Sequence, residues 1–577
     1  MGGVLMNPWL CNLLFNNSGG SSLPITGQTF YAPLKTSLVP EVGTGGPTWS
    51  RATKAWGFNE RGYLEELASG CAFFGGARLV RNACPSSEDF SIAAWTKNNL
   101  TVTGTNIVVS SAATILQRLY TSSSMTMTAG QRQVVHARLE YINHPFVQIH
   151  LNTTLSTEYV NFDLVNGTFQ VSGGTASAAM TLVSPGVYDC YAYITCASSA
   201  TTSSPLILFT TSLASAQNAV FAGDGIKSFK LLRVMSCDVT NYDASYVPEY
   251  VSVGVEASPY FGAGIDGAKY FETDWQGAPI PAANLLRFRR ESSAINNLLH
   301  CRDLSNAAWS TKTNITAAKT ATGIDGIANT ATTLTAAAED AIILQPTSGI
   351  ASAARCASAY VKRVTGTGTI SFTQDGGSTW TDITSQINAA AYIRVQITST
   401  LANPSTGFKI STSTDVINVD VGMNEAGAVA TSPIVTTTAT VTRNAESLTY
   451  QTAGNWSDTA GTVYVQTTPV VYSGGAVGSA TNGLLLSTSN SGATAYDGTN
   501  SANGPTGAPG TTEKLAVAWG SSAMSVASSG AVGTAGTYDG AMGLSSIGIG
   551  VGAVGYFGDV AIYNYKMTDA ELQAITT

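Results

Sequence analysis

Along most of the chain, apolar and polar side chains alternate in short runs that are cut by Gly, Pro, Asn and Ser. In FVQIHL, Val147, Ile149 and Leu151 fall on one face and Gln148 and His150 on the other. Successive strand residues point to opposite faces, so this period of two predicts a half-buried strand with Gln148 and His150 toward solvent. TVYVQ, GLLLST and KLAVAWG predict strands further on. In the last of these the large Leu515, Val517 and Trp519 alternate with small residues, as one wall of a sandwich requires. One helix is predicted, at the end of the chain. There Thr568 and Glu571 have the spacing of a capping box, and Leu572 and Ile575 supply an apolar face. The pattern as a whole predicts an all-β fold of tandem sandwiches.

An internal repeat sets the domain plan. DFSIAAW at 89–95 and DLSNAAW at 303–309 share five of seven residues, including the tryptophan, at a spacing of 214. Each is preceded by an asparagine and a short apolar stretch, Asn82 with Ala83 and Cys84 in one and Asn297 with Leu298 and Leu299 in the other. Strand-like segments follow each motif, and the two stretches end alike, in ASYVPEY (244–250) and ATSPIV (430–435). The plan that results has an N-terminal arm at 1–82, a first module at 83–255 and a linking arm at 256–296. A second module at 297–445 and a third, different sandwich at 446–577 complete it. Residues 1–82 show no long periodic element, only a turn-rich SGGSSLPITG, and are expected to be extended.

At 577 residues there is room for three or four domains, and a hydrophobic fraction of 44% is enough for packed cores. Only 11% of residues are charged, with a net charge of -8. That balance repels a phosphate backbone and argues against a nucleic-acid partner. The densest basic patch, Arg287, Arg289 and Arg290, reads as a solvated strand edge. Eight scattered cysteines do not form a disulfide framework, and Cys190 and Cys196 read as buried apolar residues. The apolar opening MGGVLMNPWLCNLLF lacks a basic flank and a cleavage site, and no segment has the length of a membrane span. Assembly in a reducing cytoplasm is expected.

TWSRATKAWGFNERGYLEELASG, followed by FFGGARLVRNACPSSEDFSIAAW, resembles a recurrent segment of phage structural proteins, and GIDGAKYFETDWQG with INNLLHCRDLSNAAW resembles its sister version. Such modules are similar to the jelly-roll carbohydrate-binding domains of phage tail, fibre and head-appendage proteins. GDVAIYNYKMTDAELQAIT is similar to the closing strand and helix of concanavalin-like, laminin-G-like domains. The resemblance implies two jelly rolls and a concanavalin-like sandwich in a virion protein assembled in a bacterial host. It implies a homotrimer whose N-terminal arm docks on capsid, collar or tail proteins, and contact with a host surface glycan. It does not fix a ligand.

Candidate chemistry is sparse. TQDGGSTW at 373–380 matches the Asp-box of sialidase propellers, but as a single copy it reads as a structural turn built on Asp375, Gly377 and Trp380. A hairpin turning at Asn143 to Pro145 is expected to bring His136 near His150 as a solvent-facing pair, without the acidic or thiolate partner that a metal site needs. Trp95 and Trp309 are expected to anchor their modules rather than stack on a sugar. The loop GATAYDGTNSANGP offers the ring of Tyr496 and the hydrogen-bonding groups of Asp497, Asn500 and Asn503 as a glycan-binding surface. No catalytic residue, metal or cofactor is assigned. The expected function is non-enzymatic display and attachment; the alternative is a glycan-cleaving depolymerase or sialidase-like tailspike.

Overall fold

The computed structural model describes residues 23–577 except 24, 122–126, 153, 200–204, 472–473, 479–486, 490–491, 506 and 508. Strands hold 46% of the chain and helix 2%, arranged as tandem β-sandwiches. Most of GLLLST lies outside the described residues, with Ser487 and Thr488 inside a short strand.

The duplication runs through whole sandwiches. In the first module one sheet has the order Tyr159–Asp163, Phe146–Leu151, Pro205–Phe209, Arg118–Tyr120, Thr96–Asn98. The facing sheet has Val187–Thr195, Arg132–Tyr141, Ser228–Asp238, Ile107–Ser110, Leu100–Thr103. The second module repeats this strand for strand. Thr381–Asp382, Ile370–Thr373, Ser405–Ile410, Ala341–Pro346 and Thr311–Thr313 face Ile393–Leu401, Ala353–Thr365, Val416–Ala426, Ala331–Ala336 and Ile315–Ala321. The first copy adds Thr168–Val171 and Ser177–Ser184 at the edges of these sheets and a short separate pair, Thr114–Ile115 with Phe221–Ala222.

The shared motif is a clasp that closes each copy. Trp95 and Trp309 are buried in their cores, and their indole N–H groups donate to Ser86 O at 3.0 Å and His300 O at 3.3 Å. Upstream, the Asn82 amide donates to Val234 O and Val251 O while its Oδ1 accepts from the amides of Cys84 and Ser236. Asn296 repeats all four bonds, to Gly422 O and Ile434 O and from Leu298 N and Asn424 N. The matching asparagine is therefore Asn296 and not Asn297, and the spacing from 82 to 296 equals that from 95 to 309. Downstream, Asn99 and Asn314 both adopt positive φ, at 56° and 53°, in the turn that leads from one sheet to the other.

The third sandwich corrects the two expected arms. Its large sheet is built on Val554–Tyr563, whose free side is completed by Phe30–Ala32 (Phe30 opposite Ile562) and by Arg287–Arg290 (Phe288 opposite Phe557). Thr48–Ser50 pairs with Ser447–Tyr450 in the facing sheet. Phe30, Phe74, Tyr270 and Phe288 share one core with Val463, Trp519 and Ile562. Much of 30–79 and 263–290 thus belongs to the third sandwich, and the two modules are inserted into it. Strands of three or four residues show no periodicity of their own, because partners hundreds of positions away hold them. Within KLAVAWG the large residues enter this core, while Ala516 and Ala518 lie under the closing helix Asp569–Thr576, which has the predicted capping box.

Burial of the basic patch overturns the solvated-edge reading. Arg287 pairs with Asp559 at 3.1 Å, Arg289 with Glu291 at 2.5 Å, and Arg290 donates to Ala553 O. At the point where the second module joins, Arg51 and Arg443 also converge with Glu291 and Glu446, all four buried. Neighbouring guanidiniums hold the Glu291 carboxyl at about 2 despite its burial.

The outer face of FVQIHL is likewise covered. Gln148 donates to Asn161 and to Ala216 O, and His150 meets Asn218, so a returning loop seals what the alternation assigned to solvent. His136 and His150 lie in opposite sheets of the first module, both fully buried, and form no solvent-facing pair. Burial pushes His150 down to about 4. Cys190 and Cys196 are buried free thiols.

Candidate functional site

A cleft of about 760 Å³ opens between the third sandwich and the second module. One wall is the outer face of the second module's sheet. Along Ala353–Thr365 the residues Ala357, Ala359 and Val361 turn into the core, so Ser358, Tyr360 and Lys362 turn outward; on the neighbouring strand Ile393–Leu401 Arg394 and Gln396 do the same, with Tyr392 just before it. Tyr360 stands opposite Arg394 in the ladder, and the guanidinium carbon lies 5.4 Å from the Tyr360 ring centre. The other wall comes from the third sandwich, with Phe58, Asn59, Glu60, Tyr63, Asn284 and Tyr556. Phe58 bridges the two walls, its ring centre 5.7 Å from that of Tyr360. Gly76, at φ 80°, lets the chain pass beneath Asn284: a Cβ there would lie 1.8 Å from the Asn284 carbonyl oxygen.

Polar groups in the cleft are only partly satisfied by the protein. Arg394 donates to Ser358 Oγ at 3.0 Å and approaches Met423 Sδ at 3.5 Å, and its Nε has no partner. Arg289 donates to the Tyr556 hydroxyl at 3.2 Å, and its Nε is also unpartnered. Across the cleft Glu60 accepts from the Tyr242 hydroxyl at 3.4 Å through one oxygen while the other has no partner, and burial raises its pKa. Asp274 is committed to its own turn, accepting from the amides of Gln276 and Ala278. Aromatic faces beside fixed donors and acceptors, with room for several sugar rings, make a site of the kind small polar ligands occupy.

The same face of the first module is shut. There Tyr191 and Tyr193 pack with Tyr246 and Val251 of the exit segment and with Val80, while Phe271 and Trp275 close the rim. Asp189 accepts from Arg138 at 2.7 Å, Arg233 at 3.3 Å and His136 at 2.8 Å within that seal.

No family model and no curated protein matches this chain. Among the solved structures similar to parts of it are these two. Domain 4 of AbnA, a GH43 extracellular arabinanase from Geobacillus stearothermophilus in complex with arabinotriose, is 15% identical over 23% of this chain and 73% of its own, with a TM-score of 0.20. The N-terminal CBM22-1-CBM22-2 tandem domain of Xyn10C from Paenibacillus barcinonensis is 9% identical over 62% of this chain and all of its own, with a TM-score of 0.18. At those scores neither fixes a fold or a ligand for this chain.

The loop expected to bind a glycan spends its polar groups internally. Asp497, almost fully buried, accepts from the amides of Thr499, Asn500 and Asp539 and from the Asn500 side chain. Asn503, exposed, accepts from Thr494, and the Tyr496 hydroxyl donates to Gly498 O while its ring stays half-exposed. Asp375 accepts from Thr373 and the Thr379 amide, with Gly377 at φ 90° beneath Trp380, in a hairpin turn. Among the described residues no three His, Cys, Asp or Glu side chains gather as a metal would require. The cleft escaped sequence reading because its lining comes from distant stretches around 58–76, 274–289, 322–326, 360–396 and 429–433. Only the outward alternation of Ser358, Tyr360 and Lys362 was there to signal it.

Proposed function

We propose that this is a display protein of a phage particle, non-enzymatic, which attaches to a host surface glycan held in the cleft between its second module and its third sandwich. The observation that carries the binding part is the unequal cover of one duplicated face: in the first module Tyr191 and Tyr193 are packed under the exit segment, whereas in the second Tyr360 is buried against Phe58, Leu64 and Ile324 but Tyr392, Arg394 and Gln396 beside it still line a cleft. The virion setting, docking through the N-terminal stretch and a homotrimeric state rest on the sequence resemblance. Weak cleft sites repeated around an oligomer gain avidity through tethering.

The fold dictates how docking is tested. Removing 1–82 strips strands from the third sandwich, so the informative deletion is 1–22. A chain lacking 1–22 that keeps its melting profile but is missing from purified particles supports docking; its retention on particles overturns it. For attachment, the full chain is applied to a glycan array alongside Tyr360→Ala, with glycan hits that vanish in the variant as the expected result. Release of reducing ends from host capsule or lipopolysaccharide would replace attachment by cleavage, and Glu60→Gln, which removes the cleft's half-partnered carboxyl, would then abolish it.

A further inference from the structure

We propose that the glycan in the cleft is acidic, and that a sugar carboxylate is received by Arg394 with Lys362 beside it; this rests on the reading that the cleft binds a glycan. The two modules supply the internal comparison. On the covered face of the first copy, the strand Val187–Thr195 carries Asp189, and guanidiniums from the adjoining strand, Arg138, and from the strand beyond it, Arg233, converge on it. Cations and carboxylate there are both the protein's own and neutralise one another. On the cleft-lining side of the second copy the corresponding strand, Ile393–Leu401, carries Arg394 instead, and the adjoining strand carries Lys362. No carboxylate pairs with either among the described residues.

Each nearby acid is otherwise occupied. Asp420, on the third strand of that face, is held bidentately by Arg302 at 2.7 and 2.8 Å. Glu425 accepts from Thr431 through both oxygens. Glu291 is surrounded by Arg289, Arg443 and Ser432. Across the cleft, Asp274 holds its turn, and burial raises the pKa of Glu60, which accepts from the Tyr242 hydroxyl. Among the described residues Arg394 and Lys362 thus form no ion pair with a carboxylate of the protein's own, the acid that acts on Arg394, Glu425, having both oxygens bonded to Thr431. A guanidinium in a concave, aromatic-walled site binds a carboxylate through charge-assisted hydrogen bonds that strengthen as water is excluded.

The test uses the full chain on an array holding uronic-acid oligosaccharides and their carboxyl-reduced neutral counterparts, followed by calorimetry on the hits. Binding of acidic members at least tenfold tighter than their neutral counterparts is the expected result, with that preference lost in Arg394→Gln. Gln396→Glu serves as a second variant. It places a carboxylate two residues along the same face, reproduces the self-neutralised state of the first module and leaves Arg394 in place, so the same loss is expected with an unchanged melting profile. Neutral hits, or acidic hits that survive both variants, overturn the acidic assignment and leave the glycan reading standing. An array without hits of either kind removes both.

Discussion

Replacing Asn82 with alanine tests whether each clasp holds its own module. The side chain makes four buried hydrogen bonds, at 3.1 and 2.8 Å to carbonyls of Val234 and Val251 and at 3.0 and 3.2 Å from amides of Cys84 and Ser236. At about 1 kcal/mol net for each bond, and with backbone groups left buried and unpaired, the loss is about 4 kcal/mol. Because three sandwiches need not unfold together, the assay is native-state hydrogen exchange read by peptide. Amides of Arg132–Tyr141 and Ser228–Asp238 should exchange roughly a thousandfold faster, since about 1.4 kcal/mol is a factor of ten in an opening equilibrium. Those of Ala353–Thr365 and Val416–Ala426 should stay within about tenfold of the parent. Asn296→Ala should give the mirror result. Asn297→Ala is the control: its half-buried amide makes one good bond, to Asn424 O at 2.8 Å, and water can replace it for under about 1 kcal/mol. Equal acceleration in both modules, or an Asn297 effect as large as that of Asn296, would refute the clasp.

Acid should destabilise the first module before the second. Burial depresses His136, His144 and His150, the last to about 4, whereas an unfolded histidine titrates near 6.5. Between those values the unfolded chain binds the extra proton, so stability falls as pH drops from about 6.5 toward 4, by about 3 kcal/mol for His150 alone. Thermal melts across that range check it, and a first-module transition flat with pH would contradict it. Glu446→Gln should cost about 3–5 kcal/mol in the third sandwich, since it leaves Arg51 and Arg443 buried with a lost counter-charge. Denaturant unfolding followed through the Trp456 and Trp519 pair, stacked at 4.6 Å, reports that domain.

Periodicity revealed what periodicity controls. The strands of KLAVAWG, the capped closing helix and the doubled module were readable because local alternation and a conspicuous seven-residue repeat encode them. Phe30–Ala32 and Arg287–Arg290 were not, since each is a strand only by virtue of Val554–Tyr563. Gln148 and His150 misled for a related reason: alternation tells which residues share a face but not what covers it, and here a loop supplies hydrogen bonds that let polar side chains be buried. The loop at 492–505 had the residue types of a recognition site, but Asp497 is consumed in folding its own turn. The cleft had no local signature beyond the outward alternation of Ser358, Tyr360 and Lys362.

The position of Phe30–Ala32 beside Val560–Ile562 also sets a timetable. A ribosome adding 5–20 residues each second needs roughly half a minute to two minutes between making the first of these strands and the last. Both inserted modules are complete well before then. They can fold while the sandwich that carries them still lacks its central strand, and the nascent chain must keep that early strand from other sheet edges until its partner emerges.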